Sequence, residues 1–230
     1  MALFALIPAA GSGTRFAPDA PKQYAPLAGR TMLWHAVRAL SVPQMAAIFV
    51  VLASDDERFD REDWSAFAEK LQPLFCGGET RRDSVLNGLA ALRGDLDADD
   101  WMLVHDAARP CLSRADLAKL IADAEGDEVG AILAVPVAET VKRSRADDAG
   151  AQRIIATEDR SQLWLAQTPQ MFRVGLLMQA LARAPQATDE AAAVEALGLM
   201  PRLVPGSREN LKVTYPDDVK IAEAILASRA

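Results

Sequence analysis

Short apolar runs alternate with segments of helical periodicity along most of the chain, and this alternation restricts the fold more than any other feature of the sequence. Runs such as 3–7 and 101–104 are apolar at successive positions, as in strands that are buried on both faces. Between the runs, segments such as 31–40 place leucine and valine at helical spacing. Ser113, with Asp116 three residues later, predicts the start of a further helix. The pattern therefore predicts an α/β fold, with a mostly parallel sheet and helices on both faces.

The alternation is interrupted between about residues 138 and 162. Two half-polar segments, 140–144 and 153–157, flank the turn-rich stretch 147–150, and this arrangement predicts an extended hairpin. A two-stranded hairpin without a core of its own is marginally stable in water, so we expect this protruding β-arm to pack against another subunit. No linker or repeat divides the remainder of the chain, and we expect a single domain over residues 1–230.

Composition excludes several classes of protein. The 230 residues include 25 Lys and Arg against 32 Asp and Glu, a net charge of −7, and an acidic chain is poorly suited to binding a nucleic-acid backbone. Cys76 and Cys111 cannot form a disulfide framework, and two histidines make a zinc site improbable. We expect a cytoplasmic protein. The apolar runs are too short to span a membrane, and the opening stretch lacks the basic residues of a signal peptide.

Ligands of a parallel sheet bind at the carboxyl ends of its strands, where the first loop of this chain carries glycines and cations. Gly11 and Gly13 lie in the segment 8–15, which ends at Arg15, and Lys22 follows shortly after. Glycines let backbone N–H groups approach phosphate oxygens, and both cations can bind phosphate. The third glycine of the dinucleotide fingerprint is missing, as is the Walker phosphate motif. A tight turn with two surface cations is the alternative interpretation.

Two later loops have similar chemistry. The segment 76–84 places paired glycines before a helix N-terminus, which can bind an anion or the edge of a base, or can simply begin a helix. In the segment 104–110, Asp106 follows a strand directly, where a carboxylate can hold a metal or a sugar hydroxyl. Arg109 can bind an anion there, or can close the loop by a salt bridge to Asp106. We expect His105 to be a packed histidine at the strand end.

Seven motifs occur in order along the chain. They are residues 9–15, 21–24, 83–85, 104–110, 168–170, 188–190 and 212–214. Together they resemble the 2-C-methyl-D-erythritol 4-phosphate cytidylyltransferase family of the non-mevalonate isoprenoid pathway, and the resemblance covers nearly the whole chain. It implies a Rossmann-like nucleotidyltransferase domain that transfers CMP from CTP to 2-C-methyl-D-erythritol 4-phosphate, giving 4-diphosphocytidyl-2-C-methyl-D-erythritol and pyrophosphate. It also implies Mg²⁺, or another divalent ion, as the cofactor.

The resemblance also implies roles for individual residues. Asp106 would lie near the Mg²⁺, which the CTP phosphates would mainly hold, and residues of the β-arm would reach the substrate of the neighbouring subunit in a homodimer. The catalytic cations would be Arg15, Lys22, Arg160 and Lys212. The nucleotide would be bound by Ala9, Ala10, Gly11, Ser12, Gly13, Gly78, Glu79, Ser84, Asp106 and Ala107. The acceptor would be bound by Asp106, Arg109, Thr140, Arg160, Thr168, Thr188 and Lys212.

Alternatives remain at this level. Residues 188–190 also fit a helix N-cap with an acidic first turn, and Lys212 also fits a strand lysine whose amine reaches solvent. Ribitol 5-phosphate cytidylyltransferase shares the glycine loop and the Lys22 motif, although residues 105–108 and 188–190 are more similar to the methylerythritol enzyme. Glu79 stands where members of the family often carry aspartate, so a ribose contact there could differ.

Proteins of other classes are disfavoured. A catalytically silent nucleotide-binding regulatory protein would not need Arg15, Lys22 and Lys212 together, and an NAD-dependent dehydrogenase would require the missing third glycine. The sequence shows no Ser-His or Cys-His constellation. The implied reaction needs none, because the phosphate of the acceptor is itself the nucleophile and catalysis consists of alignment and charge neutralisation.

Overall fold

The computed structural model describes residues 1–11 and 21–229. Its strands are β1 (Leu3–Pro8), β2 (Pro26–Leu27), β3 (Arg30–Thr31), β4 (Met45–Val51), β5 (Leu71–Leu74), β6 (Trp101–Val104), β7 (Gly130–Pro136), β8 (Lys142–Ala146), β9 (Gln152–Thr157), β10 (Trp164–Arg173) and β11 (Arg202–Pro205). Its α-helices are α1 (Met32–Leu40), α2 (Arg81–Ala91), α3 (Arg114–Glu125), α4 (Val174–Arg183), α5 (Glu190–Glu195) and α6 (Asp217–Ala227). Single 3-10 turns occupy Lys22–Tyr24, Phe59–Arg61 and Ser65–Phe67.

Seven strands form one central sheet in the order β11-β7-β10-β6-β1-β4-β5. The pairs β1–β4, β1–β6, β4–β5 and β7–β11 are parallel, whereas β10 runs antiparallel to both of its neighbours. The prediction of a mostly parallel sheet is therefore confirmed. The carboxyl ends of β1, β4 and β6 lie along one edge, and this edge positions the candidate site.

Apolar side chains cover both faces of the sheet. On one face, Ile7 belongs to a buried cluster with Val37 of α1 and Leu120 of α3. On the other face, the adjacent Leu6 belongs to a second cluster with Leu89 of α2 and with residues of α4 and α5. Adjacent residues of a strand point to opposite faces, so a strand that is apolar at every position needs helices on both sides. The sequence prediction of two helical layers is confirmed.

Helix starts are fixed by side-chain caps. Thr80 accepts a hydrogen bond from the backbone N–H of the third residue of α2 at 3.1 Å, and Asp189 does the same for α5 at 2.9 Å. Ser113 caps α3 at 3.0 Å, as the sequence predicted. Such caps satisfy N–H groups that have no partner within the helix. The caps of α2 and α5 also place the first residues of these two helices beside each other, as described below.

The β-arm, residues 138–162, protrudes from the sheet edge between β7 and β10. Strands β8 and β9 pair with each other in an antiparallel hairpin, and every residue of the two strands is exposed. Ile154 is 68% exposed and Ile155 49%. The predicted hairpin is confirmed, with strands at 142–146 and 152–157 instead of 140–144 and 153–157.

Within the described ranges, no helix combines the length and the apolar character that a membrane span requires.

Candidate active site

A cleft of about 540 Å³ opens at the carboxyl edge of the sheet, where β1 and β6 end and α2 begins. Its walls come from five segments of the sequence that the fold brings together. The lining residues are Pro8, Ala9, Ala10, Gly11, Lys22, Gln23, Gly78, Glu79, Thr80, Arg81, Ser84, Asp106, Ala107, Ala108 and Lys212.

The two glycines before α2 allow the loop to fold tightly against β1. A Cβ atom on Gly77 would lie 2.3 Å from the Cβ of Ala10, and one on Gly78 would lie 2.5 Å from the Cβ of Asp83. The buried hydroxyl of Ser84 accepts a hydrogen bond from the Gly78 N–H at 3.1 Å and donates to the Thr80 carbonyl at 3.0 Å. The loop is therefore a preformed wall, with backbone groups close to whatever occupies the cleft.

Asp106 lies at the centre of a charged cluster. Its Oδ1 accepts a hydrogen bond from Arg81 Nε at 2.8 Å, and its Oδ2 lies 2.8 Å from Lys212 Nζ and 3.8 Å from Arg109 Nε. Arg81 also binds Glu190 through both terminal nitrogens, at 2.6 and 3.0 Å. Three cations thus surround two buried carboxylates at one corner of the cleft.

The cations keep Asp106 ionised. Burial alone raises the pKa of this carboxyl, but the charges of Arg81 and Lys212 outweigh burial and hold its pKa well below the usual range. Burial lowers the pKa of Arg109, and the neighbouring Asp106 opposes that effect. Among the residues that the structure describes, Arg109 Nε has no hydrogen-bond partner, while its terminal nitrogens donate to the carbonyls of Asn210 and Ala166. The sequence-level alternative of an Asp106–Arg109 contact is thus present, although its distance is long.

Behind Asp106, a buried hydrogen-bond chain fixes the loop. The Asp106 N–H donates to Thr168 Oγ1 at 2.9 Å, and this oxygen lies 3.1 Å from His105 Nδ1. His105 Nε2 lies 3.0 Å from the Arg109 carbonyl. Because a carbonyl only accepts, Nε2 carries the proton, and Nδ1 accepts from the Thr168 hydroxyl. His105 is fully buried, and burial lowers its pKa to about 4, so the prediction of a packed histidine is confirmed.

A second cavity of about 180 Å³ adjoins the cleft. Arg81, Asp106 and Lys212 line both cavities, so this trio forms a shared wall between two compartments. Most of the remaining residues around the smaller cavity are polar, as expected of a site for a hydroxylated or anionic ligand. They are Arg109, Ala166, Gln167, Thr168, Gln170, Thr188 and Asp189.

Lys22 and Lys212 both line the larger cavity. Lys22 Nζ donates to the carbonyl of Val213 at 2.8 Å, next in sequence to Lys212. The segment around Lys212 is not a strand but an irregular connection between β11 and α6, so the strand alternative for Lys212 is wrong. The Lys212 side chain is 44% exposed, which leaves its amine accessible from the cleft.

Most of the predicted site residues are brought together. Ala9, Ala10, Gly11, Lys22, Gly78, Glu79, Ser84, Asp106, Ala107 and Lys212 line the cleft, and Arg109, Thr168 and Thr188 line the smaller cavity. Ser12, Gly13 and Arg15 lie outside the described residues. Thr140 and Arg160 are exposed on the β-arm and line neither cavity of their own chain. Arg160 instead donates to the Val137 carbonyl at 3.3 Å.

Sequence reasoning missed Arg81 and Glu190 as members of the site. Arg81 is the first residue of α2, and a cation at the positive end of a helix is unfavourable unless an anion compensates it. That conflict is a signal that the sequence contained. Glu190 belongs to the motif 188–190, where its expected contribution was to the acidic first turn of a helix, yet it is fully buried. Its partner Arg81 lies 109 positions earlier, a separation that no local pattern spans.

The residues available for a metal are few. Among residues 1–11 and 21–229, no group of three or more His, Cys, Asp or Glu side chains could hold a metal ion. Asp106 and Glu79 are the carboxylates that line the cleft. Mg²⁺ is typically bound by one or two carboxylates together with waters and the phosphates of a substrate, so this donor set fits a magnesium ion that arrives with a nucleotide.

Comparison with known proteins gives one consistent result. A family model described as 2-C-methyl-D-erythritol 4-phosphate cytidylyltransferase matches residues 3–228. A protein of that name from Azoarcus sp. is 53% identical over 227 residues, covering 98% of this chain and 94% of its own. A protein of the same name from Nitrosomonas eutropha is 54% identical over 230 residues, covering 98% and 97%.

Solved structures agree with the sequence matches. A crystal structure of 4-diphosphocytidyl-2C-methyl-D-erythritol synthase has a TM-score of 0.85 and 42% identity, covering 98% of both chains. The 2-C-methyl-D-erythritol 4-phosphate cytidylyltransferase of Francisella tularensis has a TM-score of 0.81 and 34% identity, covering 98% of this chain and all of its own. Since sequence and fold agree from end to end, the chain belongs to the 2-C-methyl-D-erythritol 4-phosphate cytidylyltransferase family.

Proposed function

We propose that the chain transfers the cytidylyl group of CTP to 2-C-methyl-D-erythritol 4-phosphate with release of pyrophosphate, as a step of non-mevalonate isoprenoid synthesis. Family membership supports this activity. The structural observation that carries the proposal is the pair of adjoining cavities with Arg81, Asp106 and Lys212 as their shared wall. A reaction between two phosphate-bearing molecules needs two adjoining sites with cations where the phosphates meet.

The larger cavity would bind CTP. Its volume of about 540 Å³ lies within the range of about 300–1,000 Å³ typical of small-molecule sites. Backbone groups at Ala10 and Gly78 and the Ser84 hydroxyl would recognise the polar edge of cytosine. Ala9, Gly11, Glu79 and Ala107 line the same cavity, and Ser12 and Gly13 would extend this wall.

The smaller cavity would bind the acceptor. Thr188 and Arg109 line it with Asp106, and these donors and acceptors suit the hydroxyl groups of a polyol phosphate. The Thr168 hydroxyl already contacts Asp106 and His105, so we assign Thr168 to shaping this cavity from behind.

The chemistry requires charge neutralisation. A phosphate oxygen of the acceptor attacks the α-phosphorus of CTP and forms a new O–P bond. The bond between the α-phosphorus and the oxygen that bridges it to the β-phosphate breaks, and pyrophosphate leaves. Two anions meet in this step, so cations that bind the transition state more strongly than the substrates accelerate it. Lys22 and Arg15 would stabilise the CTP phosphates. Lys212, now 2.8 Å from Asp106, would hold the attacking phosphate.

Mg²⁺ is the divalent ion that we propose for this reaction. Asp106 would contribute one ligand, and the nucleotide phosphates would hold most of the coordination sphere. The ion would supply further neutralisation of phosphate charge.

We further propose that the protein is a homodimer joined through the β-arm. The exposed Ile154 and Ile155 on this hairpin support an intermolecular contact. Thr140 and Arg160 line neither cavity of their own chain, and in a dimer they would reach the acceptor phosphate of the partner.

A cytoplasmic location completes the proposal. Both cysteines, Cys76 and Cys111, are free thiols in the structure, which fits a reducing compartment. The net charge of −7 disfavours nucleic acid as a partner, and the proposed partners are CTP and the polyol phosphate.

Pyrophosphate release with CTP and Mg²⁺ tests the activity, comparing 2-C-methyl-D-erythritol 4-phosphate with ribitol 5-phosphate. Faster release with the methylerythritol substrate is the expected result. A preference for ribitol 5-phosphate would retain the mechanism and overturn the substrate. Binding of CTP without turnover of either acceptor would favour the regulatory alternative.

Subunit complementation tests the shared site. Lys22→Ala and Arg160→Ala would each be inactive alone, because each removes a cation from every site. In an equal mixture, a mixed dimer retains one complete site, and activity should return to about a quarter of the wild-type value if subunits exchange freely. A mixture without recovery, although native mass spectrometry shows that mixed dimers form, would overturn the assignment of Arg160 to the partner's site. A monomeric wild-type protein would overturn the dimer itself.

Comparing the oligomeric state of Ile154→Asp with that of Met200→Asp would locate the contact, because Met200 is an exposed control.

A further inference from the structure

Arg81 and Glu190 form an ion pair that joins the starts of α2 and α5. The geometry of this pair also fixes how Arg81 contacts Asp106. Glu190 takes both terminal nitrogens of the guanidinium, at 2.6 and 3.0 Å, which leaves Nε to contact Asp106 Oδ1 at 2.8 Å. A guanidinium is planar and rigid, so fixing one edge on Glu190 also fixes the direction in which Nε points. Asp106 therefore receives Arg81 on Oδ1 alone.

The helix start that carries Glu190 is held in place by hydrogen bonds. Glu190 is the first residue of α5, and Gln170 of β10 fastens this helix start from two directions. The Gln170 side chain donates to Asp189 at 2.9 Å and accepts from the Ala191 N–H at 2.8 Å. Glu190 is fully buried, and its carboxylate can therefore act as a fixed reference for Arg81.

This arrangement determines what the other carboxylate oxygen of Asp106, Oδ2, contacts. With Oδ1 bound to Arg81, Oδ2 is left for Lys212 at 2.8 Å, with Arg109 at 3.8 Å. Lys212 is 44% exposed and carries four rotatable bonds, so its amine has no comparable rigid support of its own. The direction of Asp106 thus decides where the Lys212 amine rests between the two cavities.

We infer that Arg81 and Glu190 are a positioning pair that sets the orientation of Asp106 and, through it, the place of Lys212, and so tunes affinity for the phosphate acceptor more than affinity for CTP. This inference rests on the proposed function, in which Lys212 holds the attacking phosphate. The nucleotide wall at Ala10, Gly78 and Ser84 is held by separate contacts, which is why CTP binding should be affected less, although Arg81, Asp106 and Lys212 also line the larger cavity.

Glu190→Gln is the principal test, because it keeps the size of the side chain and removes the charge that holds the guanidinium edge. The Michaelis constant for 2-C-methyl-D-erythritol 4-phosphate should rise by about 10- to 100-fold, while the calorimetric Kd for CTP should change by a smaller factor. Arg81→Lys should also bind the acceptor weakly. A lysine ammonium cannot bind Glu190 and Asp106 at the same time in the fixed planar geometry of a guanidinium. Glu62→Gln is the matched control: Glu62 pairs with Arg30 at 3.3 Å and is 10% exposed, and neither residue is among those that line the two adjoining cavities.

Three results would overturn the inference. They are an unchanged acceptor constant in folded Glu190→Gln, an equal loss of CTP affinity, and the same shift in Glu62→Gln. The double variant Arg81→Met, Glu190→Leu guards against misfolding, because replacing both partners of a buried pair by apolar residues is often tolerated. It should fold and still bind the acceptor weakly, and wild-type acceptor affinity in it would assign the pair a purely structural role. Wild-type protein without turnover of either acceptor would instead refute the proposed function.

Discussion

His105 makes the stability of this protein depend on pH in a way that can be calculated. The imidazole is fully buried and neutral, with a pKa lowered to about 4 from 6.5, mainly by burial. The unfolded chain exposes the same ring with its ordinary pKa, so between pH 6.5 and 4 the unfolded state binds a proton that the folded state does not. The contribution of His105 is therefore favourable above the unfolded pKa and is lost as the pH falls toward the folded pKa.

The magnitude follows from the two pKa values. Between pH 7 and pH 5, this one ring should lower the free energy of unfolding by about 2 kcal/mol. In a chain of about this length, 1 kcal/mol corresponds to about 2–4 °C in Tm, so the shift from His105 alone is about 4–8 °C. Other groups also titrate, and the comparison must remove their contribution.

Calorimetric melting of the wild type and His105→Gln at pH 7 and pH 5 makes that comparison. His35, the other histidine, is present in both proteins, so its contribution cancels. The variant should be less stable at pH 7, because it disturbs the contacts with Thr168 and the Arg109 carbonyl, but it should lose about 4–8 °C less than the wild type between the two pH values. Equal shifts in the two proteins would refute the argument that His105 is buried in its neutral form.

Three further outcomes are expected. Lys22→Ala should lower kcat by about 10²–10³-fold with little change in Tm, by analogy with lost oxyanion donors, and a folded variant with the wild-type kcat would contradict the phosphate role. Gly77→Ala should weaken CTP binding and destabilise the fold by about 1–3 kcal/mol, because its Cβ would lie 2.3 Å from that of Ala10. Gly126→Ala, where the nearest atom is 3.7 Å away, is its control, and equal effects in calorimetry would refute the steric argument. Chelation with EDTA should stop pyrophosphate release and added Mg²⁺ should restore it, and undiminished release would contradict the metal requirement.

The sequence allowed the fold to be predicted because its signals are local. Runs that are apolar at successive positions predicted parallel strands buried on both faces, and Ser113 predicted the start of α3. The antiparallel direction of β10 was not predicted, since the direction of a strand depends on the partners beside which it folds. The same limit applies to Arg81 and Glu190, which meet across 109 positions. Residues in motifs such as 104–110 could be placed in the site, whereas those that support the motifs could not.

The direction of β10 has a consequence for how relatives of this protein can vary. Because β10 returns antiparallel beside β7, the β-arm leaves and re-enters the sheet at a single edge, the same edge at which β1 and β6 deliver the cleft residues. Strands β8 and β9 pair only with each other among the described strands. Adding one residue to each would lengthen the hairpin by about 3.3 Å without shifting the register of the seven-stranded sheet. Evolution can therefore adjust the reach of the β-arm by insertion and deletion while the cleft at its base keeps its shape.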